Sequence, residues 1–155
     1  MFKKILAAID GSDPAKHALN FAAELAEENG AELVVLAVIP QIHAYFSEDV
    51  ELDYYPQLQE DMKKSYEDML QKTVEELGRV HQNLKLAKML KNGNPAKIIV
   101  ETAGRQGVDL IIIGNRGTSG VLSWMLGSTG RNVVEACTVP VLVVKDRQYC
   151  EMKRK

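Results

Sequence analysis

The chain has 155 residues, 46% of them hydrophobic and 26% charged, which sets the expectation of a soluble globular protein with a sizeable core. A net charge of −2 gives no electrostatic footprint for nucleic acid or an anionic membrane, and no apolar run reaches the roughly 18 residues a membrane span needs. The opening residues lack the apolar core and cleavage site of a secretion signal, and Cys137 and Cys150 have neither metal nor redox spacing, so a reduced cytoplasmic setting is expected.

Taken in order, Ile5 to Ile9 is a short apolar strand, and Asp10-Gly11-Ser12-Asp13-Pro14 is turn and cap chemistry with Ser12 as N-cap. Ala18, Leu19, Ala22, Leu25 and Ala26 then recur at helical spacing until Asn29-Gly30 stops the helix. Leu33 to Val38 is a second, wholly apolar strand, which makes a βαβ unit with a right-handed crossover. Ile39 to Pro56 loses periodicity and mixes aromatic residues with acids, so it reads as an irregular segment. Met62, Tyr66, Met69, Leu70, Val74 and Leu77 mark one face of a long helix ending near Gly78. The lysines in Leu84 to Leu90 suit an edge strand. Asn94 caps a helix that starts at Pro95 and turns Ile98, Ile99, Thr102 and Ala103 inward. Asp109 to Ile113 is a fourth strand, followed by a helix from Thr129 to about Cys137, with that cysteine as a small core residue. A last strand runs from Val139 to Val144. Five strands alternating with four helices predict an α/β layering, in one domain over residues 1–147 with a polar tail at 148–155.

The stretch from Asp109 to Thr129, DLIIIGNRGTSGVLSWMLGST, carries the chemistry. A buried strand breaks into glycines at Gly114, Gly117, Gly120 and Gly127, and Gly127-Ser128-Thr129 opens a helix that Ser128 or Thr129 can cap. Such an arrangement brings main-chain N–H groups and a positive helix end against phosphate, with glycine allowing positive φ and close approach. An ordinary strand-to-helix loop is the bland alternative, but three spaced glycines and a hydroxyl favour phosphate binding. Neither a Walker lysine loop nor Gly-x-Gly-x-x-Gly occurs, so a nucleotide here is held without a P-loop lysine.

Gly114-x2-Gly117-x9-Gly127-Ser128, together with Ala8-Ile9-Asp10-Gly11-Ser12, Gly93-Asn94-Pro95-Ala96 and Val139-Pro140-Val141-Leu142-Val143-Val144, resembles the ATP-binding branch of the universal stress protein family. The resemblance covers nearly the whole chain. It implies a doubly wound, five-stranded parallel sheet in the order 3-2-1-4-5 with helices on both faces, an adenine nucleotide alpha hydrolase-like fold. It also implies an ATP site in which Asp10 lies near adenine or ribose with Ala8 and Ile9 on the same wall, and in which the backbone of Val38 meets adenine. Ile113, Gly114, Asn115, Arg116 and Gly117 correspond to a first loop around ribose and phosphates, and Gly127, Ser128, Thr129 and Gly130 to a second phosphate cradle. Magnesium would arrive with the triphosphate, held by phosphates and water.

Two of these residues admit a plainer reading: Asp10 as the cap of the following turn, and Arg116 as a solvated loop cation. His17, His43 and His81 are too scattered for a metal or catalytic site. The family's pairing of last strands implies a homodimer through Val141, Leu142, Val143 and Val144. The function expected is a nucleotide-responsive regulator of the stress response, with a slow ATPase or related nucleotide-processing enzyme and a nucleotide-independent interaction module as alternatives. Tyr45, Phe46, Tyr54 and Tyr55 read either as a lid over the nucleotide or as packing on the next helix. Ser119 to Leu126, with the single Trp124, reads as a short packed helix or turn whose tryptophan would report nucleotide occupancy.

Overall fold

Side chains alternate to opposite faces of a strand, and in the central strands both sets are apolar, so helices must cover both sides of the sheet. A computed structural model describes residues 1–41, 55–117 and 126–145. Its elements are β1 (Lys4–Ile9), α1 (Asp13–Asn29), β2 (Glu32–Pro40), α2 (Tyr55–Val80), β3 (Lys85–Gly93), α3 (Pro95–Gln106), β4 (Leu110–Gly114), α4 (Ser128–Ala136) and β5 (Val141–Val144). The strands form one parallel sheet in the order β3-β2-β1-β4-β5, as the resemblance implied.

Two core clusters follow from the alternation. Ile5, Ala7 and Ile9 of β1, Leu33, Val35 and Ala37 of β2, and Leu110 and Ile112 of β4 pack beneath α1 and α2. Leu6, Leu36, Val38, Ile111 and Ile113 point the other way, beneath α3 and α4. The α1 contribution is almost all alanine, with Ala18, Ala22, Ala23 and Ala26 buried beside Leu19, which lets this helix lie close on the sheet. The lysine-bearing strand is β3, and it does lie at the sheet edge, with Lys85, Lys88 and Lys91 exposed.

The expected caps of α1 and α3 are present. Ser12 Oγ accepts from Ala15 N and Asn94 Oδ1 from Lys97 N, and Gly30 closes α1 in the left-handed region at φ 63°. Other expectations need correction. Helix α2 passes through Gly78 and runs to Val80, because a helical residue there faces Leu86 and the chain turns only at His81. Ile39 and Pro40 extend β2, and Tyr55 and Pro56 open α2, so the irregular segment is shorter than predicted. The fourth strand begins at Leu110, since the Asp109 carboxylate turns back to accept from Lys3 N and Lys4 N. Those donors, Lys3 first, hold its carboxyl below the usual carboxylate range. The last strand begins at Val141, and Cys137 is the partly exposed C-cap of α4, its Sγ accepting from Val139 N. Tyr45, Phe46, Tyr54, Trp124, Cys150 and the tail at 148–155 lie outside the described residues.

Candidate functional site

The two central strands part at their carboxyl ends. β1 pairs with β4 only as far as Ala7↔Ile112, whereas β1 stays on β2 to Ile9↔Ala37 and β4 stays on β5 to Gly114↔Val144. Ala8 and Ile9 therefore diverge from Ile113 and Gly114, and the chain leaves β1 for a helix on one face and β4 for a helix on the other. A crevice is forced open at the point where strand order reverses, which is where open α/β sheets take their ligands. It encloses about 220 Å³.

One part of its wall is apolar, made by Ala8, Leu36, Val38 and Ile113 from the sheet with Pro95 and Ile99 from α3. The rest is polar or main chain, made by Asp10, Asn115, Arg116 and Gly117 and by Gly127, Ser128, Thr129 and Gly130 at the start of α4. Tyr66 of α2 and Pro40 of β2 complete it at the rim, with Ala15 of α1.

The β1 exit is a hydrogen-bonded turn. Asp10 Oδ1 accepts from Ser12 N at 3.0 Å and from Ser12 Oγ at 2.6 Å, and Ser12 Oγ in turn caps α1. The other oxygen lies against Gly117, where a Cβ would stand 2.5 Å from Asp10 Oδ2. Asp10 thus serves the turn and also faces the cavity, so both readings of it hold. Asn115 is 2% exposed and joins the β4 exit to its neighbours: its N–H donates to Val144 O and its carbonyl accepts from Gly127 N at 2.9 Å.

Helix α4 begins differently from the sequence expectation. Gly127 is its N-cap, in extended conformation at φ −60° and ψ 159°, so Ser128 and Thr129 are the first helical residues and neither caps. No side chain caps the first turn, whose N–H groups have no acceptor within the helix and carry the positive end of its dipole. The glycines need a second correction. The positive-φ positions among the described residues are Gly11, Gly30, Gly93 and Gly107, and none belongs to the Gly114/Gly117/Gly127 signature. Gly114 is required because a Cβ would sit 2.7 Å from Pro14 O in the first turn of α1. Gly114 and Gly117 let protein approach protein, and only Gly127 leaves ordinary space around a Cβ.

The universal stress protein family model matches residues 1–145. The chain belongs to the universal stress protein family. It is 35% identical over 150 residues to the universal stress protein YxiE of Bacillus subtilis, an alignment spanning 94% of this chain and 100% of that protein. The solved structure of MJ0577, a universal stress protein of Methanocaldococcus jannaschii, superposes with a TM-score of 0.71 at 31% identity, over 95% of this chain and 98% of that one. A family protein from Arabidopsis thaliana, solved with AMP bound, has a TM-score of 0.67 at 15% identity and 97% coverage of both chains, a likeness of fold.

All thirteen residues expected at the universal stress protein site, from Ala8 to Gly130, line this one cavity. Sequence reasoning missed Ala15, Leu36, Pro40, Tyr66, Pro95 and Ile99. Pro95 belongs to the Gly93-Asn94-Pro95-Ala96 segment already noted, so its part was open to detection; Tyr66 read as one more residue on a core helix face. Burial pushes the Tyr66 phenol upward in pKa and the Asp10 carboxylate adds to it, which keeps the hydroxyl protonated. His81 lies elsewhere, its Nδ1 2.7 Å from Glu27 Oε2, and no metal-binding group of His, Cys, Asp or Glu occurs among the described residues. No described helix is long and apolar enough to cross a membrane.

Proposed function

We propose that this universal stress protein binds an adenine nucleotide, ATP with its magnesium in the first instance, and acts in the cytoplasm as a nucleotide-responsive regulator. One observation carries the reading: within a single crevice an apolar wall runs into an uncapped helix start. A flat, largely apolar base suits the first, and a polyphosphate suits the second, where main-chain N–H groups and the helix dipole converge. The cavity, about 220 Å³, is smaller than the roughly 300–1,000 Å³ of clefts that swallow a drug-sized ligand, so base and ribose fill it and the phosphates lie along the loop rim. AMP bound by the Arabidopsis protein of the same fold is consistent with that ligand class.

Regulation is preferred over turnover on chemical grounds. Phosphoryl transfer needs a positioned nucleophile, a metal-holding acid and charge stabilisers. Asp10, Arg116 and Tyr66 are the ionisable side chains lining the cavity among the described residues, and Asp10 is already engaged by Ser12. ATP at about a hundred times its dissociation constant should add about 2.7 kcal/mol of stability, a rise of roughly 5–10 °C in melting temperature. Absence of any shift with ATP, ADP or AMP up to millimolar concentration, magnesium present, would sink the proposal.

The chain's partner is a second copy of itself. β5 is the free edge of the sheet opposite β3, and Val141, Leu142 and Val143 are only partly buried. An apolar edge without lysines invites pairing, and two-fold pairing of β5 strands covers it. Light scattering should report a dimer at micromolar concentration, and Val143→Lys should shift it to monomer; a dimer indifferent to that substitution removes β5 from the interface.

A further inference from the structure

Helix α2 places Tyr66 on the cavity wall, and this is the only aromatic side chain lining the cavity among the described residues. Building on the nucleotide reading above, we propose that Tyr66 is a ligand-contact residue whose phenol, together with the Asp10 carboxylate, forms the subsite that recognises the ribose hydroxyls.

The placement of Tyr66 separates it from the base wall. Leu36, Val38, Ile99 and Ile113 belong to the α3/α4 side of the sheet, whereas Tyr66 packs with the α1/α2 cluster and reaches the cavity from that side. Its helix is seated on the β1 exit, since a Cβ on Gly11 would meet Met69 Cγ at 3.8 Å, and Met69 is one turn from Tyr66. Tyr66 and Asp10 are close enough for the carboxylate to raise the phenol's affinity for its proton.

Charge then selects what can lie between them. A carboxylate repels phosphate and accepts hydrogen bonds only, while the uncapped start of α4 attracts phosphate at another part of the cavity. A group beside Asp10 must therefore be neutral and able to donate. A protonated phenol both donates and accepts, so it complements a hydroxyl that donates to Asp10. Sugar hydroxyls meet both requirements, and they lie between base and phosphate in the ligand as Asp10 lies between the apolar wall and the α4 cradle.

The test is a calorimetric titration of wild type and Tyr66→Phe with ATP, 2′-deoxy-ATP and 3′-deoxy-ATP. Phenylalanine keeps the ring and its packing, so the unliganded variant should melt with the wild type. Loss of one neutral hydrogen bond should weaken ATP about three- to ten-fold. That penalty should vanish on whichever deoxy analogue lacks the contacted hydroxyl. An equal penalty on all three nucleotides, or none on ATP, overturns the inference while leaving nucleotide binding standing. A wild type that binds none of the three overturns the nucleotide reading itself.

Discussion

Gly114→Ala is expected to lower the melting temperature by roughly 3–10 °C, an effect of about 1–3 kcal/mol in a chain of this size. The added methyl would stand 2.7 Å from Pro14 O and 2.8 Å from Pro14 C. These are main-chain atoms in the first turn of α1, so no side chain can swing aside. Either α1 shifts outward along its alanine-rich face or β4 is displaced, and each loses close packing that Ala18, Ala22 and Ala26 depend on. Thermal or urea unfolding of the unliganded protein measures this directly. A variant that melts with the wild type would show that the α1–β4 contact yields at no cost.

Gly127→Val should do the opposite: spare the fold and abolish the nucleotide response. Its backbone, at φ −60° and ψ 159°, is open to any residue, and a Cβ there has Arg116 Cα, Asn115 O and Gly117 N at 3.7, 3.8 and 3.9 Å. Room for one carbon exists, and the cost of a β-branched N-cap is about 1 kcal/mol. The valine methyls, however, must lie between the 115–117 loop and the first turn of α4, where the proposed phosphates approach main-chain N–H groups. A hundredfold loss of affinity would cut the stabilisation by ATP from about 2.7 to about 0.4 kcal/mol at the same concentration. Circular dichroism should show the native helix content, with the ATP-dependent rise in melting temperature nearly gone. A folded variant with a wild-type rise would place the phosphates away from α4.

Much of this site was legible before any coordinates. Asp10 and Gly114 are polar and glycine exits from apolar strands, and the spacing to Gly127 marks the start of a helix; both are local features carried by a few adjacent residues. The physical reason assigned to the glycines was not legible. Positive φ is a property of one residue, and the signature glycines do not use it; their demand comes from Pro14 and Asp10, partners remote in sequence. Tyr66 stayed hidden for a related cause, because helical spacing tells which face is buried and says nothing of whether that face ends over core or over a cavity.

By itself the sequence determined the five strands, the caps at Ser12 and Asn94, and the two-sided apolar alternation that obliges helices to cover both faces. These rest on interactions within about four residues or on a period of two, which a linear pattern records. Tertiary structure alone decided where β1 and β4 part company, at Ala7↔Ile112, and hence that there is a crevice at all. It also decided that Gly127 and not Ser128 starts α4, since Asn115 O takes the Gly127 N–H and fixes the entry of that helix. Both outcomes turn on pairings between elements far apart in the chain, and those form only when the two core clusters close on the sheet from either side.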